Sequence, residues 1–186
     1  MCGIFGLYSY RVKYSRQQVV ECLLKGLERL EYRGYDSAGF AIDDESFVEF
    51  DKENGHVNLI PSSTVIKAQG KVQQLRNLAE DTFMQNGVDM NAPYWITSGI
   101  AHTRWATHGQ PSAVNAHPQS SGDDQEFLVV HNGIITNYNA LKSFLIQKGE
   151  DFVSETDTEV IAKLCKYVYV SVGGQIDFPQ VCCFLL

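Results

Sequence analysis

The sequence predicts a layered α/β or α+β domain, and three observations carry that reading. Segments of strand character alternate with segments of helical periodicity along the 186 residues. Their order is strand, helix, several strands and then helices, which lets helices cover a sheet. With 44% apolar side chains and no internal repeat or low-complexity tract, the chain has material for one substantial core. Periodicity alone does not choose the topology.

Residues 2–8 read as a buried strand. Ser15 is placed to cap a helix in which Val19, Val20, Leu23, Leu24, Leu27 and Leu30 recur at three- and four-residue spacing, one face of an α-helix that would cover a sheet. Strand-like runs follow at 38–42 and 46–51 with Asp43-Asp44 turning between them, and a weaker helical pattern covers 70–84. Gln85 to Pro93 reads as a loop. Residues 96–105 and 126–135 are β-rich and flank a long polar loop holding Gly109, Pro111 and Pro118, the profile of a lid or binding segment. Helices are expected at 137–148 and 156–170. The second opens with Thr156-Asp157-Thr158-Glu159, a capping-box pattern in which Glu159 reaches back to the Thr156 amide and Asp157 sits in a first helical turn.

Composition removes several function classes. The net charge of −7 is spread along the chain, and no basic run or basic-aromatic stripe is present to neutralise a phosphate backbone, so nucleic acid is not an expected partner. The start, MCGIFGLYSY, lacks a cationic flank before a long apolar run, and no apolar stretch nears the ~20 residues that span a bilayer. Five cysteines, an odd number without zinc-ligand spacing, fit reduced thiols in the cytoplasm. His102, His108, His117 and His131 lack metalloprotease spacing and a Cys partner, so no metal is expected. Cys183-Phe184-Leu185-Leu186 has the form of a prenylation box, but no polybasic segment precedes it and one lipid chain binds membranes marginally; a membrane is not an expected partner.

The chemistry centres on Cys2. Once Met1 is removed, Cys2 carries a thiol and a free α-amine that titrates near pH 8, a nucleophile and a base in one residue. Taken alone, a cysteine at position 2 is more often a small buried residue at the start of a strand.

The motifs that follow change that weighting. CGIFG at 2–6, LEYRGYDSAG at 30–39, GIAHTRWATHGQPS at 99–112, NAHP at 115–118, HNGIITNY at 131–138 and SETDTEVIAKL at 154–164 together resemble the class II (N-terminal-nucleophile) glutamine amidotransferases. Within them, YRGYDSAG, HTRWATHG and SETDTE resemble the eukaryotic glutamine–fructose-6-phosphate aminotransferases. The resemblance covers residues 2–170 and implies a four-layer αββα Ntn-hydrolase sandwich that needs no cofactor. It implies that Cys2 attacks the glutamine side-chain amide, that Asn132 and the Gly133 amide hold the oxyanion, and that Arg104 grips the α-carboxylate while Asp157 holds the α-ammonium. Thr107 and His108 match further substrate contacts, and Trp105 matches the residue gating ammonia. These roles make physical sense: a planar guanidinium suits a carboxylate, and a glycine lets backbone approach substrate. Arg33 and His117 are read as structural or loop-organising, Tyr32 and Tyr35 as packing.

The resemblance also implies that a glutaminase domain continues past 170 with a GA-rich strand and an RxGSP segment, and that a sugar-isomerase region receives the ammonia and binds fructose 6-phosphate. Residues 171–186, SVGGQIDFPQVCCFLL, match neither, so a divergent tail and a sandwich missing its last strands are expected. Two readings follow. One is a glutaminase using L-glutamine, with self-association with full-length subunits as its partner reading. The other is a catalytically inactive truncated isoform acting as an interaction or regulatory fragment.

Overall fold

The computed structural model describes residues 2–43, 47–50, 57–60, 63–106 and 109–183, by backbone only at 47–50, 57–60, 95, 96 and 183. Strand β1 (Gly3–Ser15) ends on Ser15, whose hydroxyl accepts from the Gln18 amide while the Gln18 side chain accepts from Ser15 N–H at 2.8 Å. This reciprocal cap starts α1 (Arg16–Leu30), and Val19, Val20, Leu23, Leu24 and Leu27 are all buried, as their spacing predicts.

Four further strands complete the first half: β2 (Ser37–Asp43), β3 (Phe47–Phe50), β4 (Val57–Ile60) and β5 (Ser63–Gln69). Helix α2 (Val72–Gln85) and strand β6 (Pro93–Arg104) follow. The main sheet is antiparallel in the order β1-β6-β2-β5. Alternate residues along a strand face opposite sides, so Phe40, Ile42, Ile66, Ala68 and Ala101 point to α1 and α2 and form one core with Leu23, Leu27, Leu75 and Phe83. Truncating any of those leucines to alanine removes ~2–5 kcal/mol. The N-cap of α2, Lys71, provides no side-chain bond; Glu31 does so instead, accepting from Val72 N–H at 2.9 Å where the helix dipole favours a carboxylate. Arg76 ties the two helices, reaching Glu21 at 2.5 Å and Glu28 at 2.8 Å.

The expectation of a buried strand at 2–8 fails. β1 is an edge strand: Phe5 and Leu7 pack on the core, while Ile4, Tyr8, Tyr10 and Val12 are exposed, because helices cover only one face. The turn read at Asp43-Asp44 lies partly outside the described residues, and β3 pairs with β4 in a separate two-stranded ladder.

The second half holds β7 (Gln119–Ser120), β8 (Leu128–Val129), α3 (Tyr138–Gln147), α4 (Glu159–Ser171) and α5 (Phe178–Cys183). The segment leading into β7 lies on the outer face of the main sheet. The His117 carbonyl comes within 2.3 Å of where a Cβ on Gly39 would sit, so this approach requires glycine there, and Lys67 Nζ donates to Val114 O at 3.3 Å. The layers are therefore α1/α2, main sheet, β7-β8 and α3/α4, an α+β arrangement whose second sheet is small among the described residues.

The strand expected at 126–135 shrinks to Leu128–Val129. Further along, the amides of His131 and Ile135 donate to the side chains of His117 and Asp157 rather than to a ladder. The capping box at 156–159 is also overturned. Thr158 is the N-cap of α4 but its side chain makes no capping bond, Asp157 precedes it, and the buried Glu159 accepts from Val153 N–H at 3.0 Å and Ser154 N–H at 2.7 Å. Within the segment read as a divergent tail, Asp177 and Gln180 exchange bonds at 2.9 Å where α5 begins, and Val181 is buried. Among the described residues no helix is long and apolar enough to cross a membrane.

Candidate active site

Sheet register assembles the site. Gly3 pairs with Thr103, and Ser37 pairs with Arg104, so the beginnings of β1 and β2 meet the end of β6 at one corner of the sheet. Cys2, one residue before β1, places its Sγ 3.4 Å from the Trp105 amide nitrogen and 3.7 Å from the Trp105 carbonyl. The other half comes from the second layer, where Asn132 Nδ2 donates to the Cys2 carbonyl at 3.1 Å. Between them lies a cavity of about 230 Å³ lined by Cys2, Arg104, Trp105, Asn132, Gly133 and Asp157 among others. That volume is below the ~300–1,000 Å³ of drug-sized sites and suits a small metabolite.

The structure thus brings together six of the eight residues singled out in the sequence; the other two, Thr107 and His108, lie outside the described residues. Arg104 is buried, and its guanidinium donates to the carbonyls of Gly109 (3.0 Å) and Gln110 (3.4 Å), so the cation also organises the loop beside the cavity. Asp157 Oδ2 accepts from Ile135 N–H at 2.8 Å and holds the segment after Asn132-Gly133 in place. Trp105 is 48% exposed and meets the edge of Tyr35. The packing role read for the tyrosines is limited to that contact for Tyr35, while Tyr32 is 78% exposed.

Three buried or half-buried histidines back the cavity. His117 Nδ1 accepts from His131 N–H at 3.3 Å, which fixes the His117 proton on Nε2, and His131 Nδ1 lies 3.2 Å from Thr158 Oγ1. The rings of His102 and His117 are 4.3 Å apart. Burial, reinforced by nearby cationic groups, pulls His102 down to about 4 and His117 down to about 2, so both are neutral near pH 7. Among the described residues no group of three or more His, Cys, Asp or Glu side chains gathers as a metal site.

Residues that sequence reasoning left unassigned hold the loop. Asp36 accepts from the Ala106 amide, and its own amide donates to Arg104 O at 3.2 Å. Asn115 Nδ2 donates to Gln110 O and to Glu155 Oε2, both at 2.9 Å, and Glu155 Oε2 accepts from Gln110 N–H at 3.1 Å. All three lie inside the motifs YRGYDSAG, NAHP and SETDTE; their partners are largely backbone groups of a distant loop, which a motif does not display.

A thiol, an amide donor beside it, and an arginine and an aspartate thus line one small cavity. Residues 62–175 match the family model described as "Glutamine amidotransferase domain", and the chain belongs to that family. More particularly, it is 52% identical over 169 residues to glutamine–fructose-6-phosphate aminotransferase (isomerizing) 2 of Mus musculus, covering 91% of this chain and 23% of that protein. The Arabidopsis thaliana glutamine–fructose-6-phosphate aminotransferase (isomerizing) 1 is 45% identical over 187 aligned residues, covering 97% of this chain and 26% of that protein. The chain thus spans about a quarter of the length of these relatives. Among solved structures, the glutamine phosphoribosylpyrophosphate amidotransferase of B. subtilis superposes with a TM-score of 0.57 at 25% identity, over 89% of this chain and 29% of that one. The fold is that of an Ntn-hydrolase amidotransferase.

Proposed function

We propose that the chain hydrolyses the side-chain amide of L-glutamine through Cys2, freed as the N-terminal residue by removal of Met1. Sγ bonds to the amide carbon, and the thiol proton passes by way of the α-amine to the departing nitrogen. Breaking the C–N bond then leaves a thioester and ammonia. Water cleaves the thioester to glutamate and restores the thiol. Asn132 Nδ2 and the Gly133 amide stabilise the oxyanion, for which Asn132 turns from the Cys2 carbonyl to the substrate. Arg104, with five N–H donors, shares them between the loop carbonyls and the α-carboxylate, and Asp157 takes the α-ammonium. Thr107 and His108 add substrate contacts, and Trp105 gates the ammonia. No cofactor enters this chemistry.

The observation that carries this reading is the Cys2 thiol against the Trp105 amide at the mouth of a cavity that Asn132, Arg104 and Asp157 also line. We assign residues 2–170 to the glutaminase domain and 171–186 to the tail. In a polypeptide of the relatives' length the ammonia would aminate fructose 6-phosphate in hexosamine synthesis, in the cytoplasm, with self-association of subunits. The test is the intact mass before and after an electrophilic glutamine analogue. Loss of Met1 and one adduct that glutamine competes away are expected, and Cys2→Ser should abolish both adduct and ammonia release. Undiminished ammonia release from Cys2→Ser sinks the assignment. The alternative, an inactive interaction fragment, draws on the exposed Ile4, Tyr8 and Tyr10 of the edge strand and predicts protein that begins at Cys2 yet takes up no adduct.

A further inference from the structure

We infer that Asp36 is a positioning residue for the Cys2 thiol, acting through the peptide of Trp105. The inference deepens the glutaminase reading and rests on Cys2 being the nucleophile. The Trp105 N–H is aimed at Cys2 Sγ from 3.4 Å and the thiol faces the Trp105 carbonyl at 3.7 Å, so the backbone at 105 sets where the sulfur lies. What fixes that N–H is not the tryptophan ring, which is half exposed and touches the edge of Tyr35. The peptide is held from its two neighbours, and Asp36 holds both. Its amide donates to the Arg104 carbonyl, and its Oδ2 accepts from the Ala106 amide.

Asp36 is itself fixed. Its Oδ1 accepts from Ser37 Oγ at 3.0 Å, its carbonyl accepts from Gly70 N–H at 2.7 Å, and Ser37 is fully buried at the start of β2. Gly34 completes the clamp from the other side: a Cβ there would lie 2.7 Å from the Arg104 carbonyl and 2.9 Å from Trp105 N, so the two backbones touch. Asp36 does not line the cavity beside Cys2; it lines the neighbouring hollow with Ala106, Gln110 and Glu155. Its effect on chemistry therefore passes through the 104–106 turn. Arg104 keeps its place in β6 by pairing with Ser37, so the proposed carboxylate site does not depend on the Asp36 side chain.

The test follows alkylation of Cys2 by iodoacetamide with mass spectrometry from pH 5 to 9, alongside kcat and KM for ammonia release, in the full chain and its Asp36→Ala and Asp36→Asn variants. Asp36→Ala should slow Cys2 alkylation at pH 7 about tenfold. Its kcat should fall at least tenfold with KM within about twofold, while Cys22 alkylates as before. Asp36→Asn keeps an oxygen acceptor for Ala106 and should restore most of the rate. Should Asp36→Ala fail to fold, Asp36→Ser, too short to reach Ala106 but still polar, carries the same expectation. A Cys2 alkylation profile that overlies the wild type in the folded Ala or Ser variant overturns the inference, as does an equal loss in Asp36→Asn. Because iodoacetamide needs no substrate, this result is read independently of turnover: absence of ammonia release in the wild type counts against the glutaminase reading, not against Asp36.

Discussion

Lowering the pH from 7 to 5 should strip stability from this domain through two buried imidazoles. His102 is fully buried and, among the described residues, neither ring nitrogen has a partner in bonding geometry; burial, outweighing the opposing pull of the His131 backbone and reinforced by the charges of Arg104 and His131, holds its pKa at about 4. His117, beside it, is held at about 2 by burial and by the charges on His102, Arg104, His131 and Lys67. In the unfolded chain both titrate near 6.5. Between 6.5 and the folded values the unfolded state binds the extra protons, so stability is full above 6.5 and falls as pH drops. Integrated from pH 7 to 5, each group removes about 1.9 kcal/mol, and the pair removes about 3.7 kcal/mol of a total that is ~5–15 kcal/mol for a domain. Urea unfolding at pH 7, 6 and 5 measures the loss. Carboxylates add their own pH dependence, so the decisive quantity is the difference from His102→Phe, a ring of similar shape that cannot be protonated. That variant should lose about 2 kcal/mol less between pH 7 and 5. Parallel stability curves for wild type and variant would refute the reasoning.

Three further expectations follow from the contacts. Glu159→Ala leaves the amides of Val153 and Ser154 and the nearby Lys163 without their buried carboxylate and should cost ~3–5 kcal/mol in urea or thermal unfolding, with Glu159→Gln costing less. Gly34→Ala forces a Cβ into the Arg104–Trp105 backbone and should lower both melting temperature and ammonia release, the latter at least tenfold; wild-type turnover in this variant would mean that the backbones part freely. Glu155→Ala frees Gln110 and Asn115 and should raise KM for glutamine more than it lowers kcat. Asn115 and the Gln110 amide hold the Glu155 carboxyl below its ordinary range, so the wild-type clamp is intact above that range and releases as pH falls through the lowered value, which stopped-flow binding at falling pH would detect.

What the sequence displayed depended on the range of the forces involved. Helix α1 was legible because its cap, Ser15 with Gln18, and its apolar spacing are both local. Edge or centre is a property of neighbours, so β1 read as buried although helices cover one side only. Strands β4 and β5 were missed, since neither carries a helical period or a long apolar run and their pairing is set by β3 and β2. At 131–135 the composition said strand, but side chains 14 and 22 residues away took the amides. Glu159 fitted a local capping rule, and burial beside Lys163 turned it to 153–154 instead. Motif resemblance singled out Cys2, Arg104, Asn132 and Asp157, which line one cavity; it left Asp36, Asn115 and Glu155 unassigned because their work is done on loop backbone.

The site is also divided between two layers held by different forces. Cys2 and Trp105 belong to the first, whose core is one apolar cluster running from Val19 to Ala101. Asn132, Gly133 and Asp157 belong to the second, where a small apolar set (Leu145, Val160, Ala162, Cys165 and Val181) is buried beside many polar residues, among them Ser121, Ser154, Thr156, Thr158, Glu159 and Lys163. The ties between the layers include the hydrogen bonds of Asn132 to the Cys2 carbonyl, Lys67 to Val114 O and Ser63 to Gln125, beside the His102–His117 ring contact and the close approach of the His117 carbonyl to Gly39. Apolar burial contributes ~1.5–3 kcal/mol per large side chain and a net hydrogen bond ~0.5–1.5 kcal/mol, so the second layer should open before the first. Thiol reactivity, set within the first layer, is then separable from glutamine turnover, which needs both. In rising urea, ammonia release should stop while glutamine-independent alkylation of Cys2 keeps its native rate, until the core around Leu23 and Phe40 melts. Loss of both at one urea concentration would mean that the layers unfold as a single unit and that the hydrogen bonds between them hold as firmly as the apolar core.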